Sequence, residues 1–333
     1  MKNIRLLITD LDDTIWDWLS MWYNSFSPYF ESIKDVTKVN EKELIESFKK
    51  IHQKYHSSEF SFAFRELDCL TNDDKKDIEQ KIYQNNRSII HNYYHNKKHN
   101  LKFYSNVLST LIKIKKQGAL IVGFTESNSF FTKYRIKTLD IDGLFDSIYS
   151  PKDIGIPRTT KLFYEKGKWD LKHTEINILP EKTKKPNPKI LLKIVEDYGV
   201  RLDEIIYIGD KLEKDIYMAK TANITSVHAL YGNKVDSKQY SLLRKVTHWT
   251  KEDVEREIQF NKDINKKEIQ PDYIINDFEE LLTHFNFINY KQYSEEDKKN
   301  LLTIWANIVS VQKHFNDIEI RIRNCAITLY TFF

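Results

Sequence analysis

Short apolar runs that stop abruptly at polar residues recur along this chain, and they constrain its fold more than any other feature. The runs are Ile4–Thr9, Ala119–Phe124, Ser147–Tyr149, Glu204–Gly209, Ile224–His228 and Asp272–Ile275. Each has the length of a buried strand, and stretches of helical composition such as Leu108–Lys116 and Ile190–Tyr198 lie between them. Strands that alternate with helices predict βαβ units and a parallel sheet, because parallel neighbours need a crossover connection. In such a sheet ligands bind beyond the carboxyl ends of the strands, so the polar residues that end the runs are the candidate site.

Glycine divides the chain further. All eight glycines lie between Gly118 and Gly232, which leaves two flanks without one. Glycine supplies positive φ and close backbone approach, so a turn-rich sheet domain is expected inside the window and helices outside it. The first and last runs nevertheless fall in the flanks. The missing glycines therefore mark a helical cap inserted into the sheet domain, and a helical tail added after it. The expected organisation is a core of residues 1–14 and 105–288, an all-helical cap over 15–104, and a C-terminal helix over 289–333. Segments 41–52 and 73–95 are the expected cap helices. A small insertion over 151–184 is placed near the carboxyl edge, with a hairpin expected from Leu162 to Trp169, and a third insertion runs from about 236 to 270.

Charge and cysteine use narrow the setting. The formal net charge is +4, but residues 251–333 carry 11 Lys and Arg against 15 Asp and Glu, a net of −4, which leaves +8 on residues 1–250. That excess favours an anionic substrate and lacks the dense basic and aromatic strip of a nucleic-acid groove, so nucleic acid is not an expected partner. Cys69 and Cys325 lie far apart, the N-terminus reads as neither signal nor transit peptide, and no run of ~18 apolar residues occurs, so a cytoplasmic protein is expected. The tail keeps an apolar heptad from Leu301 to Leu329, about 42 Å of helix. Three readings stay open for it: packing on the protein's own core, a homo-oligomer seam, or membrane association through residues 296–333.

The chemistry at the strand ends begins with Asp10 and Asp12. Two carboxylates at one strand end suit a division of labour, one remaining ionised to attack or to bind metal while the other carries a proton. By themselves they are equally consistent with a metal site or a helix cap. The second run ends in Thr125, a hydroxyl suited to a phosphoryl oxygen. Lys185 stands in Lys185-Pro186-Asn187-Pro188, where it can neutralise charge on a nucleophile and a phosphate. The fourth run ends in Gly209-Asp210 with Asp215 five residues on, acids that can ligate Mg²⁺ or orient its waters.

Taken in order, Asp10-Leu-Asp-Asp-Thr14, Thr125, Lys185-Pro-Asn-Pro188 and Gly209-Asp-Lys-Leu-Glu-Lys-Asp215 resemble the four motifs of the haloacid dehalogenase-like (HAD) superfamily. Met218–Ile224 resembles the helix-to-strand turn after the fourth motif, and 271–282 the last strand and helix of the same core. The resemblance covers residues 1–288 and implies a Rossmann-like core with a helical C1-type cap, as in phosphoglycolate-phosphatase-like members. It implies a Mg²⁺-dependent phosphomonoesterase acting on a small phosphorylated metabolite or nucleotide through an aspartyl-phosphate. Asp10 would be the nucleophile and Asp12 the general acid and base. Thr125 and Lys185 would hold the phosphoryl group, and Glu126, Ser127 and Asn128 would lie against substrate. Asp10, Asp12 through its backbone carbonyl, Asp210 and Asp215 would bind the metal, while Thr14 orders the loop. An acid at position 12 favours phosphate over haloacid substrates, since a halide needs no proton to leave. Phosphomutases and phosphotransferases of the superfamily remain alternatives, as does a sensor or effector module acting through the tail.

Two clusters outside the motifs are ambiguous. His91, His95 and His99 form a stripe if they share a helix, which suits a metal, a substrate contact or a plain solvated or core face. Trp16, Trp18 and Trp22 suit packing under the cap or stacking on a substrate ring. Lys211, Glu213 and Lys214 occupy places in the fourth motif where small or polar residues are common in relatives.

Overall fold

In a computed structural model of the chain, which describes residues 1–60, 62–153, 167–181, 183–233, 236–249, 255 and 269–290, the apolar runs assemble into one seven-stranded parallel sheet. Its order is β10 (Tyr273–Ile275), β9 (Thr225–Ala229), β8 (Ile205–Gly209), β2 (Leu6–Thr9), β5 (Leu120–Phe124), β6 (Ser147–Ser150) and β7 (Glu175–Ile178). The central strands β8, β2 and β5 are buried residue by residue. That is why they read as continuous apolar runs: both faces of a parallel sheet are covered. Along β2, Leu7 packs into one hydrophobic layer and Leu6 and Ile8 into the other, the period-two alternation of a strand. Helix α5 (Val107–Lys116) leads into β5, α6 (Ser129–Thr138) joins β5 to β6, α7 (Pro188–Tyr198) lies on the return from β7 to β8, and α8 (Tyr217–Thr221) joins β8 to β9.

The chain lays β5, β6 and β7 outward from β2, then crosses back to place β8 on the other flank of β2. Thr9 is in register with Gly123 of β5 and with Ile208 of β8. The carboxyl ends of β2, β5 and β8 therefore lie at the point where strand order reverses, where connections diverge and leave a crevice.

Several strands escaped the sequence reading. The run Ile4–Thr9 is split by a bend at Arg5, whose guanidinium reaches Glu204 at 3.1 Å. The part before it, β1 (Lys2–Ile4), pairs in parallel with β11 (Phe285–Phe287), which directly follows the last helical turn at Leu281–His284. Another is β7, which falls inside the expected 151–184 insertion and pairs with β6 from Ser147 to Ser150. Its sequence alternates polar Glu175 and Asn177 with Ile176 and Ile178, the pattern of a half-exposed edge strand.

The cap segment contributes α1 (Trp18–Thr37), α2 (Glu41–Tyr55), α3 (Asn72–Gln80) and α4 (Ile89–Asn100). It is helical with one correction. The stretch 73–95 is two helices separated by a hairpin of β3 (Ile82–Gln84) and β4 (Arg87–Ser88). Asn85 and Asn86 form its turn with φ of 54° and 55°, a left-handed pair that asparagine tolerates and that matches a two-residue hairpin. The interior of the cap is aromatic, built from Trp22, Phe26, Phe30 and Phe48. Leu243 and Val246 of α9 (Ser237–Val246) are buried in that same cluster.

Among the described residues no helix is long and apolar enough to cross a membrane. The expectations for the tail, as a core-packed, oligomeric or membrane-directed helix, concern residues 289–333, of which 291–333 lie outside the described residues. So does the hairpin expected from Leu162, apart from residues 167–169.

Candidate active site

The site grows from the end of β2. The Asp10 amide still donates to Ile208 O at 2.9 Å, so its carboxylate leaves the sheet from a fixed backbone. The chain then turns tightly, with Ile15 N donating to Leu11 O at 2.8 Å and Asp13 in the left-handed region at φ 59°. Thr14 closes the turn onto the carboxylate, its hydroxyl donating to Asp10 Oδ2 at 3.3 Å, and its carbonyl accepts from Tyr231 OH at 2.7 Å.

Three buried carboxylates and one ammonium meet at this edge. Lys185 Nζ donates to Asp10 Oδ1 at 2.5 Å and to Asp215 Oδ1 at 2.9 Å. Asp215, carried on a π-helical turn over Leu212–Ile216, also accepts from Tyr207 OH at 2.8 Å and from the Lys211 amide at 3.2 Å. Asp210 follows β8, and its carbonyl accepts from His228 Nε2 at 3.0 Å. One oxygen each from Asp10, Asp210 and Asp215 lies within 4.8 Å of the others, which makes these three a candidate metal centre.

The donor set fits a hard divalent cation, which takes oxygen ligands. Asp210 Oδ2 is buried without a hydrogen bond, although Lys211 Nζ lies 2.7 Å away as an ion-pair partner. Burial pushes the Asp10 carboxyl well above the ordinary range, partly opposed by Lys185 and reinforced by Asp215 and Asp210. Burial likewise raises Asp210 to about 8, opposed by Lys211 and reinforced by Asp13 and Asp215. Carboxylates crowded and dried in this way favour a cation that neutralises them. Burial disfavours charge on Lys185 too, yet Asp10 and Asp215 outweigh it and hold the ammonium firmly protonated.

Asp12 faces a different set of partners. Its Oδ1 accepts from Trp16 Nε1 at 2.6 Å and its Oδ2 from Ser127 Oγ at 2.6 Å, with Arg135 Nη1 3.4 Å from Oδ1. The side chain of Asp12 is thus outside the triad, and only its backbone carbonyl remains for the metal role expected of it. Thr125 ends β5, where its Oγ1 accepts from the Ser127 amide at 3.0 Å. Glu126, expected against substrate, commits both oxygens to the protein: Oε1 accepts from the Lys185 amide at 3.0 Å, and Oε2 from Lys214 Nζ at 2.8 Å. It thereby ties the loop that bears Lys185 to the turn that bears Asp215. Burial opposes its charge, but Lys214 and Lys185 keep its carboxyl below the ordinary value. Asn128 opens α6, its carbonyl accepting from the Thr132 amide at 3.1 Å.

Two glycines make the approach of these parts possible. A Cβ on Gly209 would meet Asp215 Cγ at 2.4 Å, and one on Gly232 would meet the Asp13 carbonyl at 1.8 Å. The first is visible as part of Gly209-Asp210; the second has no local signal. Tyr207, His228, Tyr231 and Arg135 were also missed. Tyr207 alone had a hint, a hydroxyl in an otherwise aliphatic strand.

His91, His95 and His99 are exposed on α4 and join no metal-ligating group among the described residues. Trp16 and Trp22 are buried, and Trp18 Nε1 donates to Glu59 Oε1 at 2.9 Å.

The sequence profile of haloacid dehalogenase-like hydrolases matches residues 4–223, and a HAD-hydrolase-like profile matches residues 183–281. The chain is 22% identical over 236 residues to a glyceraldehyde 3-phosphate phosphatase of Methanopyrus kandleri, covering 70% of this chain and 87% of that one. It is 25% identical over 240 residues to the protein of the same name from Pyrococcus furiosus, covering 70% and 83%. A HAD phosphatase structure from Thermococcus onnurineus aligns with a TM-score of 0.47 at 17% identity, over 84% of this chain and 97% of that one.

Proposed function

The chain belongs to the haloacid dehalogenase-like hydrolases, and from that membership we propose that it is a Mg²⁺-dependent phosphatase that cleaves a small phosphorylated metabolite through an aspartyl-phosphate. The observation that carries this reading is the convergence of Asp10, Lys185, Asp210 and Asp215 at the carboxyl edge of the sheet. Asp10 is the one carboxylate there that is both bridged by Lys185 and fixed at the end of the central strand.

In the first step an Asp10 oxygen attacks phosphorus, and the bond from phosphorus to the leaving oxygen breaks as Asp12 gives that oxygen a proton. In the second step Asp12 takes a proton from water, whose oxygen attacks the aspartyl-phosphate and regenerates Asp10. Lys185 and the Thr125 hydroxyl offset charge on the phosphoryl oxygens as it spreads in the transition state. Asp10, Asp210, Asp215 and the Asp12 carbonyl would hold Mg²⁺, which when bound supplies charge neutralisation for the nucleophile and the phosphate. Tyr207 and the Lys211 amide keep Asp215 in place, and Glu126 holds the Lys185 backbone. The curated relatives make glyceraldehyde 3-phosphate the first substrate to try.

Asp10→Asn tests the mechanism. The expected outcome is loss of at least about 10³-fold in kcat on p-nitrophenyl phosphate with Mg²⁺ present, with the thermal transition retained, since nucleophile and stabilised charge both go. Retained turnover would remove Asp10 as nucleophile. Free phosphate released from glyceraldehyde 3-phosphate without any added acceptor would exclude obligate phosphotransfer.

A further inference from the structure

Arg135 lies on α6, outside every motif, and its side chain is completely buried. A buried guanidinium is expensive unless its fork is paired, so what it pairs with is informative. On one side Nη1 donates to Ser127 Oγ at 3.1 Å and stands 3.4 Å from Asp12 Oδ1. Ser127 in turn donates to Asp12 Oδ2 at 2.6 Å. On the other side Nη2 donates to Glu59 Oε1. Glu59 belongs to the cap, is itself buried, and pairs through Oε2 with Lys97 Nζ of α4 at 2.8 Å. The four charges alternate in sign from the core into the cap: Asp12, Arg135, Glu59, Lys97. Burial opposes charge on Glu59, but Arg135 and Lys97 overcome it and hold its carboxyl down at about 2.

We propose that Arg135 is a positioning residue for the acid–base carboxylate, and that cap-borne Glu59 sets Arg135, so that the seating of the cap fixes the geometry of proton transfer at Asp12. The inference rests on the phosphatase reading above. Trp16, at the start of the cap segment, donates to Asp12 directly, while Glu59 carries the cap's charge to Arg135 on the core. A planar fork bridging two carboxylates and a hydroxyl constrains orientation as well as charge, which a lysine would not reproduce.

The consequence is selective. A leaving alkoxide needs the proton from Asp12 as its bond to phosphorus breaks, whereas the anion of an acidic phenol leaves with little help. Misplacing Asp12 should therefore slow phosphoryl transfer to Asp10 from alkyl esters and spare that from activated aryl esters, a difference read in kcat/KM because the later attack by water is common to both. The experiment compares glycerol phosphate with p-nitrophenyl phosphate, using kcat/KM with Mg²⁺ present, for the wild type, Arg135→Lys and Glu59→Gln. Both variants are expected to lose about 100-fold on glycerol phosphate and less than about threefold on p-nitrophenyl phosphate, the span a general acid contributes. Equal losses on the two esters in Glu59→Gln would mean a merely structural role and overturn the proposal, as would no loss on either. If Arg135→Lys does not fold, the nearly isosteric Glu59→Gln decides alone. A wild type inactive on both esters, or activity surviving in Asp10→Asn, would instead sink the phosphatase reading itself.

Discussion

Asp210 shows how much of the site follows from single residues. It follows a strand buried at every position, its buried Oδ2 faces the Lys211 ammonium at 2.7 Å, and burial lifts its carboxyl to about 8. A bound cation would reverse that penalty in the native state alone, so Mg²⁺ should stabilise the fold by mass action. At 100 times its dissociation constant the gain is about 2.7 kcal/mol, a rise of a few degrees in Tm, and Asp210→Asn should lose most of it. Thermal melts with Mg²⁺ and with chelator check this; an unchanged shift in the variant would place the ion elsewhere. The residues at strand ends were legible because a carboxylate or hydroxyl that closes an apolar run stands out against it, and Lys185 because two prolines flank its loop. Arg135 and Glu59 were not. Seven of the ten residues of α6 are buried, so its sequence carries no stripe to mark an inward charge, and Glu59 lies between elements where nothing local reveals burial.

At the level of elements, the segment after the fourth motif does more than connect. Residues 237–249 come from the part read as a third insertion, yet they complete the cap. His52 of α2 is buried and its Nδ1–H donates to the Val246 carbonyl at 2.7 Å, while Gln53 Nε2 donates to Trp249 O at 3.3 Å. Burial lowers the His52 imidazole from 6.5 to about 4, only partly opposed by that bond. The unfolded chain then binds a proton near pH 6.5 that the native chain refuses until about pH 4. This contribution is complete above pH 6.5 and is lost as pH falls through that window, up to about 3 kcal/mol. Urea unfolding at pH 7 and pH 5 should show the loss, and in His52→Asn that part of the pH dependence should vanish; an unchanged slope would show that His52 does not carry it. The α2 pattern was legible, since its apolar positions recur at helical spacing. The hairpin at Asn85-Asn86 was overlooked although two adjacent asparagines are a turn signal, because the charged residues around it have helical composition.

For the whole molecule, the cap cluster is closed by residues roughly two hundred positions away in sequence, so cap and core should unfold together. Leu243 and Val246 sit among Trp22, Phe26 and Phe48 of the cap while their helix follows β9 of the core. Leu243→Ala should cost about 3 kcal/mol, the usual range for emptying a buried leucine site, and should shift tryptophan fluorescence and far-UV circular dichroism transitions in parallel. A separate early transition in the fluorescence alone would show that the cap folds independently. What the sequence determined by itself was local: which runs become buried strands, where helices fall between them, and which polar residues stand at strand ends. Period and burial fix these without reference to distant partners. The order of the seven strands, with β8 brought back beside β2, and the bridge from Asp12 through Arg135 to Glu59 were decided only in three dimensions. Contacts between residues 76 and 217 positions apart leave no periodic trace in a single chain, because the charges and carbonyls that meet there are ordinary surface residues until the fold buries them.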